Sequence, residues 1–367
     1  MPGSVTGRID SIDALRAFAL LGILLVHAAE CFGFHEEALF VTSADNILLK
    51  LINNVFLGRS NAIFSLLFGC SFWFLLRNPA YSSLKFVWRC ILLACIGVVA
   101  KLFFTFDVLM WYGMWGALLV LFRHLRPHWL LVLSAMVLLS SSFVESLHIA
   151  DIFHAENCPD RYVSGYNIGQ VIDYPLTDSF RIGFASEFHI FSLRTFGLML
   201  LGYWIGCKGY ITRWRDVATV RLALVLAAIV IGLFVFVLAV RGDGSSLLYR
   251  TAADMLFVLQ ALFMSVLVML LCRNAGRWIY PLACYGRLGL TNYFFQGVFG
   301  VILFCEWFIP HGVGLACNVV ILLVFYVLQM IFSVLWCRSH RYGPLEWLWR
   351  KATTLYPSSP TTACRKA

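Results

Sequence analysis

Arg16 and His27 are the pair in this chain with the types and spacing for chemistry. Both fall in one apolar stretch at residues 14–34, ALRAFALLGILLVHAAECFGF. Eleven positions apart, they return to within about 20° of one helix face and lie roughly 16 Å apart along it, about half a hydrocarbon core. Charge at such depth costs about 2.5–3.5 kcal/mol, and residues that bear it are usually functional. The guanidinium offers an anion a hold near one membrane surface. The imidazole, neutral in a low-dielectric site, is a competent general base toward a hydroxyl or amine. Glu30, one helical turn beyond His27, is placed to orient or polarise it. Leu20 and Ile23 fill the stripe between, an apolar wall along which a flexible acyl carrier arm would lie. A plainer reading stays open: His27 bonds a neighbouring helix and Arg16 anchors in head groups.

Four other stretches carry polar groups in apolar surroundings. In GRSNAIFSLLFG, Arg59, Ser60 and Asn61 open a short helix; in FDVLMWYG, Asp107 ends a span on the same membrane side. Arg59 and Asp107 either pair in a vestibule above His27 or cap their own helices. In GRLGLTNYFFQ (286–296), Arg287 sits at the opposite surface, and Asn292 and Gln296, four apart, point one way into the bundle. Such amides either line a substrate path or bond across helices, and Gly289 permits close helix approach. In GPLEWLWRK (343–351), Pro344 suits a first helical turn. Its Leu and Trp residues, with Arg350 and Lys351, suit an amphipathic helix on the inner leaflet. No C-x-x-C, H-E-x-x-H or phosphate-binding loop occurs, so neither a metal site nor ATP-driven transport is expected.

The elements that position these groups follow from composition. Of the chain's residues 61% are hydrophobic and 13% charged, with a mean hydropathy of +0.82, which defines a membrane protein. Apolar runs at 14–34, 61–76, 86–105, 108–122, 128–147, 190–207, 219–240, 252–272, 288–309 and 313–336 give an all-α, polytopic fold of about ten spans. With the N-terminus inside, twenty of the 28 Lys and Arg fall on the cytoplasmic side, which sets an N-in, C-in topology. The net charge of +9 is therefore a topology signal that also suits anionic head groups, and it forms no single patch for nucleic acid. The first helix is retained: Asp10 and Asp13 spoil a signal-peptide start, and no A-x-A site follows.

The organisation expected is an N-terminal bundle (1–147), an external loop (148–189), a C-terminal bundle (190–337) and a cytoplasmic tail (338–367). The loop forms a lid or a plain linker. Residues 38–58 read as an amphipathic helix at the outer surface. Most cysteines are apolar fillers within spans; Cys31 and Cys158 both face outside, and the sequence leaves their pairing open.

Taken together, IDALRAFALLGILLVH, SLLFG, FDVLMWYGMWG, GRLGLTNYFFQ and YGPLEWLWR resemble the YeiB-type family of bacterial inner-membrane proteins, a domain of unknown function. The resemblance covers the chain end to end and implies a family module over roughly 205–355. The opening helix also resembles the transmembrane acyltransferase superfamily, which includes the acyltransferase-three and heparan glucosaminide acetyltransferase types. There an Arg/Lys-x10-His motif, matched by Arg16 and His27, is tied to acyl transfer from cytosolic acyl-CoA to an acceptor outside. Family members often carry Asn where this chain has His27, Ala17 replaces a usual Gly, and Cys70-Ser71 replaces a Gly-containing pair.

Three functions compete. A membrane O- or N-acyltransferase would hold acyl-CoA at Arg16, Arg287 and Arg277. It would use His27 with Glu30 and Asp107 on a small-molecule, glycan or lipid acceptor, and shape the acceptor side with Arg59, Asn61, Asn292 and Gln296. A small-solute transporter or exporter would line a pathway with the same residues. A structural or signalling membrane protein would turn over nothing.

Overall fold

Apolar runs free of internal breakers become helices whose backbone groups are satisfied within each segment, as a bilayer demands. The computed structural model describes residues 10–30, 42–78, 81–101, 107–146, 190–211, 217–241, 246–273, 275–300, 302–303 and 314–355, and among these it is helical with no strand. The helices are α1 (Asp10–Glu30), α2 (Ser43–Val55), α3 (Arg59–Leu76), α4 (Ser83–Lys101), α5 (Leu109–Leu118) and α6 (Pro127–Ser146). After the segment 147–189 come α7 (Ile190–Cys207), α8 (Val217–Ala239) and α9 (Leu247–Arg273). The chain then forms α10 (Ile279–Arg287), α11 (Gly289–Gly300), α12 (Leu315–Ser339) and α13 (Pro344–Thr354). The protein is an all-α, polytopic membrane protein.

Six of the described stretches are long and apolar enough to cross a bilayer: Asp10–Ala29, Ser43–Leu76, Ser83–Ala100, Ala218–Ala239, Leu247–Arg273 and Leu315–Ser339. Three shorter apolar helices, Leu109–Phe122, Pro127–Ser141 and Leu193–Cys207, match further expected spans. The span expected at 288–309 is entered by α11, and its end lies outside the described residues, as do the loop 148–189, Cys31 and Cys158.

Burial separates the central helix from the rim. On α1, Ala14, Ala17, Leu20, Leu24 and Ala28 are each at most 1% exposed, and the helix packs against α3, α9, α10 and α12. On α8, by contrast, Leu224 and Ile231 are 67% and 64% exposed, an apolar face suited to lipid chains. The most intimate crossing joins α3 to α7, where a Cβ on Gly69 would strike the Met199 carbonyl and one on Gly202 the Leu66 carbonyl. Small residues let the two backbones touch. Helices on either side of the 148–189 segment thus pack on one another, α3 on α7 and α1 on α10 and α12.

The segment expected as a surface helix forms α2, and α2 docks on α1 and α12. Ile52 is fully buried while Ile47 is 68% exposed, so the amphipathic pattern survives. Asp45 fixes its place. One carboxylate oxygen closes a capping box with Thr42 at 2.8 Å, and the other accepts from the Ala316 N–H at 2.7 Å, at the start of α12.

Candidate functional site

The α1 helix carries a polar group near each end, and each meets a different neighbour. At the Arg16 end, Asp10 and Asp13 occupy the first turn, where the helix dipole favours anions. Arg16 Nη1 donates to Asp13 Oδ1 at 2.6 Å and Nη2 to Ser71 Oγ at 3.3 Å. Arg287, in the last turn of α10, donates from Nη2 to Asp10 Oδ1 at 2.7 Å and lies 3.7 Å from Asp13 Oδ2. Asp13 is 2% exposed at its side chain and so bridges two guanidiniums; the Asp10 side chain is 53% exposed. The approach is close because a Cβ on Gly286 would overlap the Asp13 carbonyl. Arg16 and Arg287 are thus brought together as expected, but as half of a four-charge cluster whose formal charges cancel. Arg277 stands exposed on the turn before α10 and joins no ion pair among the described residues.

At the other end, His27 is 8% exposed and lines a cavity with Ala100, Asp107, Tyr293, Phe294, Gly297 and Val298. The cavity has room for about one water molecule. Asp107 is fully buried. Its Oδ2 accepts from the Leu109 and Met110 N–H groups at 3.0 and 3.4 Å, so the carboxylate starts α5. Those donors and the positive end of α5 offset the cost of burying it. The Tyr293 hydroxyl accepts from the Val108 N–H at 3.3 Å, next in the chain to Asp107. A base, a carboxylate and a phenol therefore share one cavity wall. The Glu30 side chain lies outside the described residues.

Between these ends the stripe is packed. Leu20, Ile23 and Leu24 join Tyr285, Tyr293, Leu322 and Tyr326 in one core cluster, and the Tyr326 hydroxyl donates to the Ala17 carbonyl at 3.1 Å. The side chains of this stripe are buried against α10 and α12.

The structure sends the remaining candidates elsewhere. Arg59 does not meet Asp107: its Nε donates to Gln260 at 3.0 Å and its Nη1 to the Asn53 and Leu57 carbonyls at 3.1 and 2.9 Å. Asn61 contributes its carbonyl, which accepts from Tyr112 at 2.7 Å and from Ser65 at 2.9 Å. Asn292 and Gln296 take the bonding role left open for them. Asn292 Nδ2 donates to the Tyr285 carbonyl at 3.0 Å and Ser333 Oγ at 3.1 Å, while Gln296 Nε2 donates to the Tyr285 hydroxyl at 2.7 Å. The Tyr285 hydroxyl in turn donates to Gln329 Oε1 at 2.9 Å. This buried network ties α10, α11 and α12 together.

Sequence reasoning missed Tyr293 and the part played by Asp13. Both had a signal. Asp13 stands three residues before Arg16, the spacing of a helical ion pair. Tyr293 and Gly297 repeat four apart, one position round from Asn292 and Gln296, so the motif has two working faces.

Apolar helices around a buried His–Asp–Tyr cavity and a neutral charge cluster place the chain among polytopic membrane proteins with polar groups at membrane depth. Residues 206–356 match the family described as "Protein of unknown function (DUF418)". Over 407 aligned residues the chain is 26% identical to "Uncharacterized protein YxaH" of Bacillus subtilis (strain 168), covering 96% of each. It is also 26% identical to "Uncharacterized 39.9 kDa protein in amylase 3'region" of Bacillus acidopullulyticus, covering 96% of this chain and 95% of the relative. A stretch of 80 residues, 20% of each chain, is 38% identical to "Uncharacterized protein YeiB" of Escherichia coli (strain K12). The chain thus matches the DUF418 model over 206–356 and is similar, over shorter or more divergent stretches, to these uncharacterized proteins.

Proposed function

We propose that this protein is a transmembrane acyltransferase of a bacterial inner membrane, moving an acyl group from cytosolic acyl-CoA to a hydroxyl or amine acceptor outside. The observation that carries the reading is the convergence of His27, Asp107 and Tyr293, from distant parts of the chain, on one cavity. A proton acceptor, a carboxylate and a hydroxyl around one space are the parts that acyl transfer to a nucleophile needs. His27 takes the acceptor's proton as its oxygen or nitrogen attacks the thioester carbonyl. The carbon–sulfur bond then breaks, and the coenzyme thiolate leaves and is protonated. Asp107 and Tyr293 form the polar wall.

At the other end, Arg16 and Arg287 are the cations for the donor's phosphates. Their forks are occupied by Asp10 and Asp13, so phosphate competes first for the hold of the exposed Asp10 on Arg287. The packed stripe means transfer requires α1 to part from α10 and α12. That packing also favours a second reading, a small-solute carrier in which His27 is held occluded between two open states.

The purified chain in detergent with radiolabelled acetyl-CoA tests the proposal. We expect saturable binding and acetyl transfer or slow thioester hydrolysis. His27→Ala should abolish turnover while leaving the unfolding transition in place. No binding of acyl-CoA by calorimetry defeats the proposal. Solute flux in vesicles without any dependence on coenzyme A selects the carrier.

A further inference from the structure

A second charged cluster sits at the start of α3, and none of its residues lines the His27 cavity. Arg59 is the first residue of α3, and Arg194 lies in the first turns of α7. Both guanidiniums stand over the ring of Phe257 on α9, at 5.5 and 5.8 Å from its centroid. Asp254, one turn earlier on α9, pairs with Arg194 and accepts from Ser141 Oγ of α6 at 3.3 Å. The starts of α3 and α7 thus meet the later part of α6 and the first half of α9 here, on the side that the charge bias of the sequence puts outside.

The arrangement runs against ordinary electrostatics. Cations stabilise helix C-termini and are disfavoured at N-termini, yet two arginines near two N-terminal ends approach one aromatic ring. Each guanidinium also repels the other, and Asp254 balances only one of them. Gln260 and two carbonyls hold the Nε and Nη1 of Arg59, while its Nη2 donates to no described group. A guanidinium clamped on three of its donors, with its remaining edge free, is preorganised to receive an oxyanion.

We propose that Arg59 and Arg194, over Phe257, form a binding site for a phosphate group at the outer face of the protein. Two sources share that chemistry, a lipid headgroup of the outer leaflet and free phosphate. The site stands apart from the acyl-transfer reading, because it uses none of the groups around His27.

Equilibrium dialysis of the purified full chain against radiolabelled inorganic phosphate tests the free anion. Reconstitution into vesicles of phosphatidylglycerol mixed with phosphatidylcholine, with bound lipid counted, tests the headgroup. The variants are Arg59→Gln, Arg59→Lys and the double Arg194→Gln/Asp254→Asn, which avoids leaving Asp254 without its cation. Arg126→Gln, exposed on the loop before α6, is the control. We expect at least a tenfold loss of phosphate or phosphatidylglycerol binding in Arg59→Gln and in the double variant. Arg59→Lys should give an intermediate loss, and the control none. Enrichment of phosphatidylglycerol without phosphate binding assigns the headgroup; the reverse assigns the free anion. Binding of neither, or binding unchanged in folded Arg59→Gln and Arg59→Lys, overturns the proposal.

Discussion

Replacing Glu346 should loosen the protein from its C-terminal helix inward, and the size of the effect follows from three bonds. The α11 helix begins at Gly289, and its first N–H groups have no partner within the helix. Glu346, near the start of α13, supplies one from more than fifty residues away. Its Oε1 accepts from the Leu290 and Thr291 N–H groups at 2.7 and 3.0 Å, and its Oε2 from Thr291 Oγ1 at 2.6 Å. The Leu345 N–H returns a bond to the same Thr291 hydroxyl at 3.1 Å, and a Cβ on Gly343 would collide with the carboxylate. Losing a cap costs about 0.5–2 kcal/mol, and leaving part-buried N–H groups unpaired adds about 1–3 kcal/mol. Glu346→Ala should therefore destabilise by about 2–4 kcal/mol. Glu346→Gln keeps one neutral acceptor and should lose about half as much. Equilibrium unfolding of the purified chain in mixed micelles measures both, with exposed Lys351→Ala as a control expected within about 0.5 kcal/mol. The order wild type, Gln, Ala is the prediction. If Glu346→Ala unfolds with wild-type stability, or if Gln and Ala are equal, the cap does not hold α11 and the reasoning fails.

Two further substitutions probe the frame. Gly286→Val should separate α10 from α1, because its side chain meets the Asp13 backbone carbonyl and not a yielding side chain. A loss of several kcal/mol, on the scale of core overpacking or beyond, is expected in the same unfolding assay, and wild-type stability would contradict the close contact. Asp45→Ala removes the acceptor for both the Thr42 and Ala316 N–H groups, so about 1–3 kcal/mol should be lost. Proteolysis of folded protein should then begin near residues 42–45. Asp45→Asn should recover part of both, since an amide oxygen serves one of the two helices.

Much of the fold is legible in the sequence because a bilayer leaves the backbone few options. An apolar run such as that of α8 or α12 has to be a helix, and the Arg16–His27 spacing follows from helix geometry alone. What stays hidden is which helices touch. Glu346 reads as a surface residue of an amphipathic tail, since nothing local marks its partners on α11. Asp45 looks like an interruption in an apolar helix until the start of α12 arrives beside it. The same gap explains Arg59. The sequence supplies an expensive cation and a carboxylate at one membrane side, Asp107, but Asp107 is taken up by the start of α5. Arg59 instead meets Gln260 and Phe257 of α9, more than 190 positions later. Local periodicity carries no record of such contacts.

The α11 helix joins two of the chain's sequence motifs. Its first turn is held by Glu346 from GPLEWLWR, through Leu290 and Thr291. One face, Asn292 and Gln296, is bonded to Tyr285, Gln329 and Ser333 and so fixed against α10 and α12. The adjacent face, Tyr293 and Gly297, is thereby turned toward His27 and Asp107. The DUF418 module ends at residue 356 and so includes the tail helix that caps α11. Yet the module contributes only one wall. His27 and Asp107 belong to the first part of the chain, and α1 is sealed against α10 and α12 by side chains at most a few per cent exposed. A module that carries α10 to α13 without α1 would leave Tyr285, Tyr293 and Tyr326 without the surface they pack on. The cavity is therefore a property of the whole chain, in keeping with relatives that match it over 96% of its length.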